Sequence, residues 1–388
     1  MPAFPSGATI LQVTPALDAG GVEQTTLDIA EAVCAAGGRA LVASSGGRMA
    51  AELAARGGEL IPLALDTKNP LAMARNIGRI ERLIRAEHVD LVHVRSRAPA
   101  FSAIPAAHRA LVPVVTTYHG VYGARSGAKR WYNKMMTRGD VTIANSAYTR
   151  DHIIAEHGVD PASVVAIPRG VDLRRFDPAA VPAEAVERMR AAWGVEPGET
   201  RPVLLLAGRL TRWKGQTLAI EALAGLKDEG LDALLVVLGD DQGRVGYAHE
   251  LKALAEKLGL EDSVRFPGHE TDMPAAYLAA DIVLAPSIKP EAFGRTAVEP
   301  QVMGRPVLAA AHGAATETVL DGQTGWLVEP GSPEAWTKAL GEAIAAGPEL
   351  QAEMGAAGRI RAAALYSLEA MAASTLDVYA RLLARQPA

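Results

Sequence analysis

Short runs of apolar residues alternate with segments of helical periodicity along most of the chain. Residues 8–15 form the first apolar run and predict a strand, and residues 22–35 predict the amphipathic helix that follows it. Further strands are predicted in the first half of the chain at residues 40–44, 89–94, 112–117, 140–144 and 164–168. This repeat of strand and helix is typical of a parallel sheet that helices cover on both faces.

The repeat is interrupted between residues 176 and 202, where four prolines flank one short helical piece at residues 183–193. It then restarts, with strands predicted at residues 203–207, 233–238, 264–266, 281–285 and 306–310, and three helical segments close the chain. We therefore predict an α/β fold of two Rossmann-like, doubly wound domains that face each other across a cleft. The first domain is predicted at residues 1–180, a linker at 181–200 and the second domain at 201–367.

Composition supports this domain count and narrows the class of protein. The chain has 388 residues, and at about 150 residues per domain two domains are expected. With 49% hydrophobic and 21% charged residues, a disordered, collagen-like or coiled-coil chain is excluded. The single cysteine, Cys34, rules out an internal disulfide and favours a reducing compartment. No apolar run approaches the roughly 20 residues of a membrane span, and no basic residue precedes Arg39 as in a signal peptide, so we expect a soluble, cytoplasmic protein.

Positive charge is concentrated in one segment of a chain whose net charge is −5. Residues 91–150 contain one acidic residue, Asp140, and nine basic ones: Arg95, Arg97, Arg109, Arg125, Lys129, Arg130, Lys134, Arg138 and Arg150. A local excess of this size predicts that one face of the protein meets an anionic partner. No nucleic-acid-binding motif accompanies it, so nucleic acid is not the partner we predict.

Part of this segment predicts a helix with two neighbouring stripes. One stripe carries Arg130, Lys134 and Arg138, close to Lys129, and the other carries Trp131, Tyr132 and Met135. Such a helix fits an anionic membrane surface or an anionic acceptor. It equally fits an ordinary helix that buries Trp131 and Met135 and turns its basic side chains to water.

Ligands of doubly wound sheets bind beyond the carboxyl ends of the strands, so the loops that follow the strands are the candidate sites. Gly20 and Gly21 follow the first strand and lie directly before a helix, where backbone amides and the helix dipole favour an anion. A plain tight turn would also explain the two glycines. The full GxGxxG fingerprint is absent, which gives little support to a nicotinamide cofactor.

The loop after residues 203–207 carries Gly208, Arg209 and Lys214. A guanidinium and an ammonium in such a loop suit a departing diphosphate, whose negative charge grows as the bond to it breaks. Two solvated surface charges are the alternative.

The loop after residues 281–285 carries two carboxylates, Glu291 and Glu299, eight positions apart across a Phe-Gly turn. Thr296 and Glu299 have the spacing of a capping box, which would explain Glu299 without a ligand. Glu291 precedes the predicted helix and has no such explanation. Carboxylates here can accept hydrogen bonds from sugar or ribose hydroxyls, and the amides near Gly294 can bind as well.

His119 ends a predicted strand and lies beside a glycine, which makes it a candidate site residue or an ordinary structural histidine. No other histidine lies at metal-ligand spacing from it. Asp240 and Asp241 follow a strand, but they lack the Asp-x-Asp spacing. We therefore predict no metal site and no cofactor.

Taken together, these loops resemble the retaining GT-B glycosyltransferases of family four. The resemblance covers nearly the whole chain and is carried most firmly by the E-x7-E element that begins at Glu291-Ala292-Phe293-Gly294 and ends at Glu299. The other matching motifs, in family-like order, are Gly20-Gly21, residues 167–172 (IPRGVD) with Phe176, Gly208-Arg209-Leu210 with Lys214-Gly215, residues 303–307 (MGRPV) and residues 317–328 ending in GWLV.

The resemblance implies a role for each candidate residue. Arg209 and Lys214 would hold the diphosphate of a nucleotide sugar, Glu299 its ribose, and Glu291 with the backbone of Phe293 and Gly294 the transferred sugar. Gly20 and Gly21 would close over the phosphates, and His119 would line the sugar or acceptor side. Gly208, Arg295 and Thr296 complete the implied donor-binding set. The resemblance also implies metal independence and a C-terminal helix, about residues 368–388, that packs back on the first domain.

Three residues depart from the family pattern: Arg169 where asparagine is common, Arg295 where a small apolar residue is common, and Pro300 where alanine is usual. Because Arg295 is near the expected sugar pocket, it puts the identity of the donor in question. The sequence of residues 94–100 (VRSRAPA) is similar to the corresponding sequences of bacterial enzymes that build lipopolysaccharide and related envelope glycans.

The resemblance implies that the protein is a retaining, metal-independent hexosyltransferase. It would move a hexose from a UDP- or GDP-sugar to a hydroxyl of a glycan or glycolipid acceptor, which is lipid-linked or of lipopolysaccharide type. It would be cytoplasmic, or peripheral at the inner face of the cytoplasmic membrane. The alternatives are a nucleotide-sugar epimerase of the same fold and a catalytically silent subunit that docks on membranes for envelope assembly.

Overall fold

The structure, a computed structural model, describes residues 3–18, 20–123, 126–241, 243 and 245–385. Arg125 of the basic segment and the last three residues of the predicted terminal helix lie outside the described residues. The chain forms two compact units. One is contained in residues 1–170 and 368–388, and the other in residues 171–367.

The first unit is built on a parallel sheet of seven strands in the order β3-β2-β1-β4-β5-β6-β7. Three of these strands, β1, β4 and β5, are buried along their whole length because helices cover both faces of the sheet. Their bounds are β1 Thr9–Val13, β2 Arg39–Ser44, β3 Glu59–Pro62, β4 Leu91–Val94, β5 Val114–Tyr118, β6 Val141–Ala144 and β7 Val164–Ala166.

The second unit repeats this plan with a parallel sheet of six strands in the order β10-β9-β8-β11-β12-β13. The bounds are β8 Val203–Ala207, β9 Leu234–Leu238, β10 Val264–Gly268, β11 Ile282–Ala285, β12 Val307–Ala310 and β13 Gly325–Val328. Two Rossmann-like α/β units, as predicted, are therefore confirmed.

The helices lie between the strands and at the end of the chain. They are α1 Gly21–Ala35, α2 Ala50–Ala55, α3 Pro70–Ala86, α4 Arg97–Ala110, α5 Gly127–Lys134, α6 Ala147–His157, α7 Ala183–Ala192, α8 Gln216–Asp228, α9 Val245–Lys257, α10 Met273–Ala279, α11 Arg295–Val302, α12 Ala315–Thr318, α13 Pro333–Ala345, α14 Gly347–Tyr366 and α15 Leu368–Leu383. Within the described ranges, none of them combines the length and apolar character that a membrane crossing needs.

Residues 171–200, which the sequence divides between the first domain and a linker, pack within the second unit. Phe176, Met189 and Trp193 are buried there in one core with residues of strands β8, β9 and β11. The four prolines predict a linker, but the large apolar side chains of this segment pack in the core of the second unit and make it part of that unit. The helix α15 belongs to the first unit, where Met371, Val378 and Tyr379 share a core with α1.

Each sheet has a point at which the strand order reverses. In the first unit β1 lies between β2 and β4, and in the second β8 lies between β9 and β11. The connections that leave such neighbouring strands pass to opposite faces of the sheet and open a crevice at the carboxyl ends. The loops after β1 and β4, and those after β8 and β11, are therefore the places where each unit can receive a ligand.

Candidate functional site

The crevice of the second unit holds an ion pair between two of the predicted catalytic residues. Lys214, in the loop after β8, places Nζ 2.8 Å from Oε1 of Glu291, in the loop after β11. Ser287 Oγ donates a hydrogen bond to the same carboxylate oxygen. The two side chains are only 11% and 17% exposed, and the ammonium lies 4.7 Å from the centre of the Trp213 ring.

Two glycines allow the loops to come this close. Gly215 has a φ of 80°, and a Cβ there would collide with the carbonyl oxygen of Pro286 in the neighbouring loop. At Gly313, with a φ of 61°, a Cβ would lie 2.7 Å from the carbonyl oxygen of Glu291. That same carbonyl accepts a hydrogen bond of 2.9 Å from Ala314 N, which fixes the backbone of Glu291. Sequence alone shows the glycines but not what approaches them.

A cavity of about 300 Å³ opens at the carboxyl ends of β8, β9 and β10. Four of the predicted donor residues line it: Gly208, Arg209, Thr296 and Glu299. Arg209 is exposed, and no ion pair joins its guanidinium to any residue that the structure describes. Its charge is therefore available to a ligand in this cavity.

Glu299 lies in the wall of the cavity with only 8% of its surface exposed. Arg295 Nε donates to one carboxylate oxygen at 2.8 Å, and the buried hydroxyl of Tyr277 donates to the other at 2.9 Å. Burial of Tyr277, together with the negative charge of Glu299, raises the pKa of the phenol well above its usual value. The hydroxyl therefore keeps its proton and holds the carboxylate in position.

The capping box that the spacing of Thr296 and Glu299 offered as an alternative is not formed. Helix α11 begins at Arg295 after Gly294, which has a φ of 78°, so Thr296 is the second helical residue and caps nothing. The partners of Glu299 are the side chains of Arg295 and Tyr277 instead. Phe293 directs its side chain into the core, edge-on against Tyr366, so only its backbone remains for a ligand.

The crevice of the first unit gathers positive groups from four loops. Gly20 and Gly21 begin α1, Arg95 follows β4, His119 follows β5 and Arg169 lies after β7. Arg169 Nη1 occupies the space that a side chain at Gly21 would need, and Arg169 Nη2 lies 3.2 Å from His119 Nδ1. His119 and the two glycines are predicted site residues, whereas no motif in the sequence indicates that Arg169 and Arg95 lie beside them.

Burial and neighbouring positive charges determine the protonation of this cluster. Burial and the charges of Arg169 and Arg95 hold the pKa of His119 well below 6.5, so the imidazole is neutral at pH 7. Arg95 is only 2% exposed, and burial lowers its pKa to about 10. Its guanidinium donates to Oε1 of the neutral Gln12, at 2.9 Å from Nε.

The basic segment differs from its prediction in one respect. Helix α5 ends at Lys134 and a 3-10 turn follows, so Arg138 does not continue the stripe of Arg130 and Lys134. Lys129, Arg130, Lys134 and Arg138 are exposed, and so is Trp131, at 61%. The ordinary-helix alternative requires both Trp131 and Met135 to be buried. Met135 is buried, but Trp131 is exposed.

Two of these side chains have partners within the unit. Arg130 Nε lies 2.8 Å from Oε1 of Glu156, and the Trp131 ring contacts Phe101 at 5.2 Å between centres. Elsewhere in the described chain, no group of three or more His, Cys, Asp or Glu side chains has the arrangement to hold a metal ion.

Comparison with known proteins identifies relatives of both units. Residues 19–175 match the family described as Glycosyltransferase Family 4, and residues 189–361 match Glycosyl transferases group 1. A D-inositol 3-phosphate glycosyltransferase of Xylanimonas cellulosilytica is 33% identical over 313 residues, which cover 77% of this chain and 73% of that protein.

Solved structures agree with this. A glycosyltransferase from Rickettsia africae ESF-5 has a TM-score of 0.90 at 32% identity, covering 98% of this chain and 100% of its own. HepE from Anabaena, solved in complex with UDP and glucose, has a TM-score of 0.81 at 24% identity and covers 96% of this chain and 100% of its own. The second likeness concerns the fold alone.

Proposed function

The chain belongs to the group 1 glycosyltransferases of family 4, and we propose that it transfers a hexose from a UDP- or GDP-sugar, with retention of configuration, to a hydroxyl of a lipid-linked or lipopolysaccharide-type acceptor. The observation that carries this proposal is the largely buried Lys214–Glu291 ion pair in the crevice of the second unit, with Arg209, which has no ion-pair partner among the described residues, at the neighbouring cavity.

The roles proposed in the second unit follow from the charge of each group. Glu299, held by Tyr277 and Arg295, accepts hydrogen bonds from the ribose hydroxyls. Arg209 and Lys214 meet the diphosphate, and Glu291 accepts hydrogen bonds from hydroxyls of the hexose. The backbone at Phe293 and Gly294 supplies further polar groups to the sugar.

Catalysis in this proposal is mainly electrostatic. The bond between the anomeric carbon and the diphosphate oxygen breaks, and the acceptor oxygen forms the new bond on the same face of the sugar. The acceptor's proton goes to the departing diphosphate oxygen, so no side chain has to act as general base. Lys214 and Arg209 stabilise the charge that develops on that oxygen, which is the largest contribution a preorganised site makes. Because two cations already serve the diphosphate, we propose that transfer needs no metal ion.

We also propose that α5 and the turn after it bring the enzyme to an anionic membrane at the cytoplasmic face, where a lipid-linked acceptor is found. Lys129, Arg130, Lys134 and Arg138 would meet the head groups, and the exposed Trp131 would lie at the level of the interface.

A ligand panel tests the donor assignment first. Thermal unfolding is followed with UDP, GDP, ADP and their common sugars, with a chelator present throughout. Ligand at about 100 times its dissociation constant adds roughly 2.7 kcal/mol, which a thermal shift detects. A shift with uridine or guanosine nucleotides alone supports the proposal, and loss of that shift in Arg209→Ala assigns it to this cavity. A panel without any shift contradicts the donor assignment.

Product analysis by NMR tests the reaction itself. Without an acceptor, we expect the donor sugar to undergo only slow hydrolysis. With an acceptor, we expect the anomeric configuration of the new linkage to be the same as that of the donor. Epimerised donor in the absence of acceptor would contradict the transferase proposal in favour of an epimerase.

A further inference from the structure

His312, in the loop after β12, is connected to Glu291 through Ser287. Its Nε2 lies 2.7 Å from the carbonyl oxygen of Ser287, and Ser287 Oγ donates a hydrogen bond to Oε1 of Glu291. We propose that Nδ1 of His312 accepts a hydrogen bond from one hydroxyl group of the donor hexose and that His312 thereby determines which hexoses the enzyme accepts. This inference rests on the proposed function, because it adds a second contact to the sugar that Glu291 is proposed to bind.

The loop that carries His312 is fixed against the backbone of Glu291. At Gly313 a Cβ would lie 2.7 Å from the carbonyl oxygen of Glu291, and the amide of Ala314 donates to that same oxygen at 2.9 Å. Since Gly313 and Ala314 directly follow His312, the imidazole is held beside Glu291 by the backbone as well as by its own hydrogen bond.

The hydrogen bond to Ser287 decides which ring nitrogen of His312 can accept. A carbonyl oxygen only accepts, so Nε2 carries the proton that it donates. In the neutral imidazole the other nitrogen, Nδ1, then keeps its lone pair. No residue that the structure describes forms a hydrogen bond with Nδ1, so this nitrogen remains for a ligand.

The two carboxylate oxygens of Glu291 differ in their surroundings. Oε1 accepts hydrogen bonds from Lys214 Nζ and Ser287 Oγ, whereas none of the described residues donates to Oε2. Oε2 is therefore the oxygen that can accept a hydrogen bond from a sugar. With Nδ1 of His312 it makes two acceptors on the loops of the adjacent strands β11 and β12, which suits two hydroxyl groups of one hexose.

His312 and Glu291 line a common cavity of about 10 Å³. Most of its remaining wall consists of four alanines, Ala285, Ala297, Ala310 and Ala315. A cavity of this volume accommodates a group about the size of one water molecule. A hydroxyl group fits there and a whole sugar ring does not, so the cavity can receive one substituent of a hexose.

This small cavity adjoins the larger one in which the nucleotide is proposed to bind, because Thr296 lines both. A hexose attached to a diphosphate beside Arg209 is therefore within reach of His312. A hexose without a hydroxyl at the matching position leaves Nδ1 of His312 unpaired. A site built to bond one hydroxyl discriminates in this way against sugars that lack it.

Calorimetric titrations of the full chain test this contact with ligands that differ in one hydroxyl group. The ligands are UDP, UDP-glucose, GDP and GDP-mannose, together with the deoxyfluoro analogues of both sugars, in which fluorine replaces one hydroxyl and cannot donate. His312→Gln keeps a donor for the Ser287 carbonyl but places no acceptor at Nδ1, whereas His312→Asn offers an amide oxygen near that position. Ala315→Val fills part of the small cavity. His249→Gln, an exposed histidine on α9, is the matched control.

We expect His312→Gln to bind the nucleotide sugar about three- to tenfold more weakly, as for one hydrogen bond, and the free nucleotide as tightly as the wild type does. One deoxyfluoro analogue should lose the same factor in the wild type and nothing further in His312→Gln, because the partner of that hydroxyl is already absent. His312→Asn should recover part of the affinity. Ala315→Val should weaken binding of the nucleotide sugar alone, and His249→Gln should change neither ligand.

Unchanged binding of the nucleotide sugars in His312→Gln and Ala315→Val would overturn the subsite. An equal loss for the free nucleotide and the nucleotide sugar would overturn it as well, since His312 would then only hold its loop. A wild type that binds no nucleotide contradicts the proposed function and this inference together. Normal nucleotide binding without any effect of His312→Gln contradicts this inference alone, so the two failures are distinguishable.

Discussion

The ammonium of Lys214 lies 2.8 Å from Oε1 of Glu291, and the two residues come from loops that follow adjacent strands of the second sheet. The pair is nearly closed to solvent, and each partner neutralises the other in the absence of a ligand. A diphosphate bound beside Lys214 would neutralise part of the charge of the ammonium in place of Glu291. The carboxylate oxygens of Glu291 would then be free to accept hydrogen bonds from sugar hydroxyls. The ion pair therefore links recognition of the two halves of the proposed donor.

Lys214→Ala should lower kcat about 10²–10³-fold, because a donor aimed at developing charge contributes that much to a transition state. Initial rates of transfer measure it. Lys338→Ala, on the exposed face of α13, is the matched control and should keep wild-type turnover. Turnover close to wild type in Lys214→Ala would contradict the role given to this residue.

Glu291→Gln should destabilise the second unit, because it leaves the buried ammonium of Lys214 without its counter-charge. Removing one partner of a buried ion pair typically costs about 3–5 kcal/mol. The double variant Lys214→Met with Glu291→Gln removes both charges and should lose less stability than Glu291→Gln alone. Differential scanning calorimetry of the two variants tests this order, and a double variant that is the less stable of the two would contradict it.

Glu299→Ala should weaken UDP binding about tenfold or more through loss of the ribose contact, as expected for hydrogen bonds to a charged group. The same substitution should leave binding of 2′,3′-dideoxy-UDP unchanged, since that ligand has no ribose hydroxyls to offer. Calorimetric titrations of both ligands measure the difference. Tyr277→Phe should show a smaller loss of the same kind, because it removes only the group that holds one oxygen of Glu299.

A strand is predicted from the sequence when its own residues form a continuous apolar run. The strands of continuous apolar residues, such as β8 and β9, are predicted within a residue or two. The edge strand β3, Glu59–Pro62, is not predicted because it is partly exposed and lacks a continuous apolar run. Residues 325–328 are predicted as a family motif, but their strand, β13, is not.

A site residue is predicted from the sequence when the loop that contains it also contains the motif that identifies it. Lys214 and Glu291 are chemically conspicuous in their own loops, and parallel topology brings those loops to one edge. Arg169 is different, since its place depends on a glycine almost 150 positions earlier that leaves room for it. The capping box fails because α11 begins at Arg295 after Gly294, so Thr296 already lies inside the helix and cannot cap it. The actual partner of Glu299 from outside this segment, the hydroxyl of Tyr277, lies on another helix, and no spacing within residues 291–299 shows it.

Acid should destabilise the first unit through its buried histidines. The pKa of His119 is held well below 6.5 by burial and by the charges of Arg169 and Arg95, and the pKa of His93 by burial and by Arg95 and His119. Below about pH 6.5 the unfolded chain binds protons at these positions and the folded chain does not. Stability is therefore fully present above that pH and falls as the pH drops toward the lower folded-state pKa values.

Each such histidine contributes a slope of about 1.36 kcal/mol per pH unit over this range. Unfolding of wild type and His119→Gln between pH 7.5 and pH 5 measures the slope, which should be smaller in the variant. His249→Gln, an exposed histidine of the second unit, serves as control and should retain the wild-type slope. An equal slope in His119→Gln would contradict the prediction.

Lys134→Glu should weaken binding to anionic vesicles if α5 lies on the membrane, because each basic residue near such a surface contributes about 1 kcal/mol and the substitution reverses one charge. Co-sedimentation with vesicles of phosphatidylglycerol and phosphatidylcholine should show a loss of at least about fivefold, and added salt should weaken the wild type in the same direction. Trp131→Ala should lower binding without changing this salt dependence, since the indole is 61% exposed and uncharged. Arg75→Gln removes a charge from α3 in the same unit and should have little effect. Binding that depends on neither anionic lipid nor salt would leave the basic helix to contact an acceptor in solution.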